Sequence, residues 1–97
     1  MTDLASVQAL VRSELGARDV SARGWSFAEM LLDPPNLITV HAGAASFQVW
    51  AVLEDTPSQP TSGYTVAYDP QERAFCLVSG GVAVSYYHSL VEAIDGI

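Results

Sequence analysis

The chain has 97 residues, with four arginines, no lysine and eleven carboxylates, and a net charge of −7. That balance excludes nucleic acid or an anionic membrane held through phosphate contacts, and it favours a basic partner. The length makes a single domain over residues 1–97 with one modest core, and the lone cysteine excludes an internal disulfide or a thiolate metal cluster.

The first predicted element is a helix. Thr2 or Asp3 can cap it, and Leu4, Val7, Val11 and Leu15 form one apolar stripe with Leu10 at its edge. Gly16 suits the left-handed residue that ends a helix, and Ala17 to Gly24 reads as a polar connection. Trp25 to Asp33 is ambiguous. Ser26 and Glu29 match a capping box, and Ala28 to Leu32 are good helix formers, so a short helix over 26–32 is expected, stopped by Pro34 and Pro35. The rival is a strand with Trp25, Phe27 and Leu31 on one face.

From Leu37 the pattern is β. Leu37 to His41 is rich in β-branched residues, and Ala42-Gly43-Ala44 ends it. Ser46 to Glu54 alternates, with Phe47, Val49, Ala51 and Leu53 on one side and Gln48, Trp50, Val52 and Glu54 on the other. Asp55 to Gly63 is the longest loop, and Tyr64 to Tyr68 a strand. Asp69-Pro70-Gln71-Glu72 has the residues of a type I turn. Ala74 to Val78 and Val82 to Tyr87 are strands joined by a tight Gly80-Gly81 hairpin. A last helix starts near Leu90, with Ser89 and Glu92 as its capping box and Gly96 at its end.

Short turns between consecutive strands imply antiparallel pairing. The expected fold is therefore α+β: a single antiparallel sheet of about five strands, with the N- and C-terminal helices packed on one face. Such a sheet leaves its other face open.

Signals for chemistry are sparse. Cys76 lies mid-strand between Phe75 and Leu77, where a small inert side chain is expected, and Arg73 is the nearest cation in sequence. His41 and His88 lack the companion ligands of a metal site and the acid and oxyanion hole of a catalytic triad. Gly80-Gly81 lacks the longer glycine pattern and the lysine of a phosphate loop. The acids Glu54-Asp55, Asp69 with Glu72, and Glu92 with Asp95 fall at strand ends, turns and the terminal helix, as solvated rim charges do. Neither an enzyme nor a cofactor or metal site is expected.

Charge is unevenly spread. Residues 1–23 carry Asp3, Glu14 and Asp19 against Arg12, Arg18 and Arg23, a sum of zero, whereas residues 24–97 carry eight acids against Arg73 alone. The aromatic residues add a second signal: Tyr64 and Tyr68 share a strand face, Tyr86 and Tyr87 point to opposite sides, and Trp50 lies opposite the Phe47 side. Rings on an open face rimmed by acids suit a protein interface; packed beneath a helix, they are core.

These features set the functional expectation: a small protein-binding domain, an inhibitor or immunity-type protein, that docks a basic protein through Trp50, Glu54, Asp55, Tyr68, Asp69 and Glu72. The alternative is a homodimeric chaperone or adaptor for a secreted effector, with a small enzyme third. Met1-Thr2-Asp3-Leu4 has no basic stretch leading into an apolar one, and no run approaches the length of a membrane span, so a cytoplasmic location is expected.

Overall fold

The computed structural model describes residues 3–15, 27–54 and 63–97. The elements in chain order are α1 (Leu4–Leu15), α2 (Phe27–Met30), β1 (Leu31–Ala42), β2 (Ala45–Leu53), β3 (Tyr64–Asp69), β4 (Ala74–Ser79), β5 (Val82–Tyr87) and α3 (Leu90–Asp95). The expected succession of helix, short helix, five strands and helix is present. Gly16, residues 17–24, the Ser26 cap and the loop through position 62 lie outside the described residues.

Local chemistry explains the helix starts. The Asp3 carboxylate accepts from the Ser6 amide at 2.9 Å, and the Asp3 carbonyl accepts from Val7 at 3.0 Å, which satisfies donors that the first turn leaves unpaired. Ser89 does the same for α3, its hydroxyl accepting from the Glu92 amide at 3.1 Å. Gly80 and Gly81, at φ of 59° and 79°, join the paired residues Ser79 and Val82. Positive φ at both central positions is what a type I′ hairpin demands.

Pro34 and Pro35 do not end a helix as expected; they lie inside β1. The helix stops earlier, at Met30, and the chain turns directly into strand. Between Leu31↔Leu53 and Asn36↔Ala51, five steps along β1 oppose two along β2. This bulge takes the prolines, which have no N–H to give the ladder. The Glu54 amide donates to the Met30 carbonyl at 3.2 Å across the α2–β1 corner.

The α+β expectation holds, but the open sheet does not. The strands form a closed barrel in the order β1-β2-β3-β4-β5. Neighbours are antiparallel except where β1 meets β5 in parallel at His41↔Val82, and there the His41 amide donates to the Gly81 carbonyl at 2.8 Å. Five strands in a meander bring the first and last into the same direction, so closure has to be parallel. Further irregularities between Ala51 and Leu53 and between Leu77 and Val78 bend the sheet enough to close it.

Closure gives the central strands two buried sides. Val7 and Val11 of α1 and Leu90, Ala93 and Ile94 of α3 pack with Val52, Val66, Phe75 and Leu77 on the outer side. Val40, Val49, Ala67, Cys76 and Val78 fill the barrel. Alternate residues of β4 thus serve different cores, and the strand is buried from Phe75 through Val78.

Candidate functional site

Four aromatic residues fall in one cross-strand row. Leu37 pairs with Trp50, Trp50 with Tyr68, Tyr68 with Phe75, and Phe75 with Tyr87. Directly paired residues share a sheet face, and here it is the helix-covered one. Phe75 is buried in that core, with Trp50, Tyr68 and Tyr87 half-buried against it. Tyr68 meets Phe75 edge-on at a centroid distance of 5.2 Å. The indole at position 50 is therefore not an anchor on a bare sheet. It lines a groove of about 670 Å³ with Asp3 and Leu4 of α1, Leu37 of β1, and Pro70 and Gln71 of the β3–β4 turn.

Asp69 departs furthest from its expected role. It is only 2% exposed, so it is not a solvated rim charge. One carboxylate oxygen accepts from the amides of Gln71 at 2.9 Å and Glu72 at 3.4 Å, fixing the turn; the other accepts from the Tyr86 hydroxyl at 2.8 Å. An aspartate opening a turn was legible in the sequence, but its tyrosine partner, 17 positions away, was not.

The Asp69–Tyr86 pair stands at one end of the barrel. Tyr86 pairs with Cys76, and Asp69 with Ala74, so their side chains follow the inward parity of the strands. Phe47, opposite Val40, approaches from β2. Together with Gln71, Glu72 and His88 they line a cavity of about 560 Å³, in which Ala42 and Ala74 leave space. Phe47 and Gln71 also border the Trp50 groove, so the two hollows meet at the β3–β4 turn.

Trp50 and Tyr68 are thus brought together on the helix-covered side, while Asp69 belongs to the barrel mouth, with Glu72 exposed on the adjoining turn. Glu54 is also exposed, but it lies past the far end of β2, seven positions from Phe47 and so roughly 20 Å of strand away. Asp55 lies outside the described residues.

Two side chains of the site, Cys76 and Tyr86, are held in their protonated forms. Burial, reinforced by the Asp69 charge, pushes the Cys76 thiol up to about 12, so it is a poor source of nucleophilic thiolate. Burial and the hydrogen bond to Asp69 raise the Tyr86 phenol well above its ordinary range and keep it a donor. His88 is exposed in the mouth, and His41 is exposed on the strand that closes the barrel. Among the described residues no three His, Cys, Asp or Glu side chains are grouped to hold a metal ion, and no helix is long and apolar enough to cross a membrane. The arrangement presents aromatic and apolar surface beside carboxylates. No protein-family model, curated protein or solved structure matches the chain.

Proposed function

We propose that this protein is an acidic protein-binding domain, of the inhibitor or immunity type, that docks a basic protein partner around the β3–β4 turn. The observation that carries this reading is the position of that turn between two adjoining hollows. The mouth offers Phe47 and Tyr86, and the groove offers Leu37 and Trp50. Leu37 is 48% exposed and Tyr86 41%. Aromatic and apolar side chains in concave sites are typical interface anchors. Glu72 stands exposed at one rim and Asp3 at the other, and the excess of acids in residues 24–97 steers a basic surface toward them.

The test is affinity capture from the native host at moderate salt, with the wild-type chain and a Trp50→Ala, Glu72→Gln double variant of checked melting temperature. The expected result is a basic protein retained by the wild type and lost by the variant. With that protein in hand, Trp50→Ala raises the off-rate and Glu72→Gln lowers the on-rate. Equal retention by both chains would remove the docking surface from this turn.

One observation favours a homodimeric adaptor or chaperone as a second reading. Ala74 to Val91 contains no Asp, Glu, Lys or Arg. Within it, β5 exposes Val84 at 54%, and past Val82 its second edge has no strand partner among the described residues. Copies of charge −7 repel unless they meet over an uncharged patch. Light scattering at micromolar concentration decides: a dimer broken by Val84→Glu supports the adaptor, and a monomer rejects it.

A further inference from the structure

We infer that the barrel mouth is a receptor for one guanidinium or ammonium group, carried by an arginine or lysine side chain of the docking partner. The inference rests on the docking reading and gives it a chemical centre. The cavity, about 560 Å³, admits a long side chain whose stem can lie against Phe47 and the small residues Ala42 and Ala74. Its polar wall carries two carboxylates, Asp69 and Glu72. The hydrogen-bond donors to Asp69 are two backbone amides and a phenol, all neutral, so they orient the carboxylate without cancelling its charge. Arg73, next in sequence to Glu72, is not part of the lining.

Tyr86 supplies the remaining element. Tyr86 is 41% exposed and lines the mouth, while its hydroxyl is tied to Asp69. That bond fixes the ring's orientation before anything binds, and donation to a carboxylate leaves the ring richer in electrons. Both effects favour a cation over the ring face. A planar guanidinium can stack on the ring and reach a carboxylate at once, so arginine fits better than lysine. Free anions and acidic side chains meet the same carboxylates and are repelled.

The test titrates the 15N-labelled chain with N-acetyl-arginine amide, using N-acetyl-norleucine amide as an uncharged control of similar length. Expected are saturable amide shifts at Gln71, Glu72, Tyr86 and His88 for the arginine compound only, with a dissociation constant on the order of millimolar. Glu72→Gln weakens binding by about fivefold. Tyr86→Leu, which removes the ring, weakens it by about three- to thirtyfold. Tyr86→Phe keeps the ring but frees it from Asp69, and should fall between the wild type and Tyr86→Leu. Equal shifts with the norleucine compound, or no saturation by tens of millimolar, overturn the pocket. A captured partner that is weakened by Trp50→Ala but binds Tyr86→Leu as tightly as wild type also overturns it, while leaving the docking surface standing. Saturation by the arginine compound with no partner captured would assign the pocket to a free amine and end the docking reading.

Discussion

The outer, helix-covered side of the barrel and its interior are built from different residues. The outer side holds the large ones: Phe75, Leu53, Met30, Leu90 and Ile94 are fully buried there. The interior holds Val40, Val49, Ala67, Cys76 and Val78, small enough for five strands to close around them. The fully buried interior residues are small, and the larger fully buried side chains pack outside with α1 and α3. The interior instead opens at one end into a hollow with a buried carboxylate and a tethered tyrosine. The large buried side chains thus lie on one side, and the buried carboxylate with its tethered tyrosine lies at the mouth of the other.

That contrast predicts unequal costs for core truncation. Phe75→Ala should destabilise by about 3–5 kcal/mol, because it empties the centre of the outer core. Val49→Ala, in the interior, should cost about 1.5–2.5 kcal/mol. Urea denaturation of both variants measures the difference. An interior truncation as costly as Phe75→Ala would mean that the barrel, and not its helical cover, carries the fold.

Much of this architecture was legible in the sequence because short-range chemistry fixes it. Strand boundaries from Tyr64 onward agree with the expected ones to within one residue, since Asp69-Pro70, Gly80-Gly81 and Ser89 punctuate the chain with turn and cap chemistry. Closure was not legible. Alternation from Ser46 to Glu54 gives two faces but does not reveal that bulges curl the sheet until β1 meets β5. For the same reason the near-continuous burial of β4 could not be seen in its sequence. Trp50 and Tyr68 showed as a shared aromatic signal, but sequence could not decide whether helices covered that face, and they largely do. The mouth was the least visible part, because the Asp69–Tyr86 contact depends on register across β3, β4 and β5.

At the mouth, Asp69 and Tyr86 make unequal contributions. Asp69→Ala removes the acceptor for the Gln71 and Glu72 amides and strands the Tyr86 hydroxyl. A cost of about 2–3 kcal/mol is expected. Tyr86→Phe loses only the phenol's bond, leaves the turn contacts in place, and should cost about 0.5–1.5 kcal/mol. If the two variants unfold at the same denaturant concentration, Asp69 does not hold the turn and serves only as a partner for Tyr86.

The smallest effect is absent at neutral pH and appears only in alkali. In the folded protein the Cys76 thiol is pushed up to about 12, mainly by burial and then by the Asp69 charge, from an ordinary 9.0. A raised value means the folded state keeps a proton that the unfolded chain releases. The thiol's contribution to stability is therefore complete below about pH 9 and is lost as pH rises toward 12. Tyr86, also raised, acts in the same direction at the upper end of that window. Cys76→Ala removes the thiol's share, so its stability should fall less steeply than wild type between those pH values, even if a small cavity makes it less stable at pH 7. Parallel curves would show that Cys76 ionises as freely folded as unfolded. The barrel interior would then be wet, and the division between a dry inside and an open mouth would fail at its deepest residue.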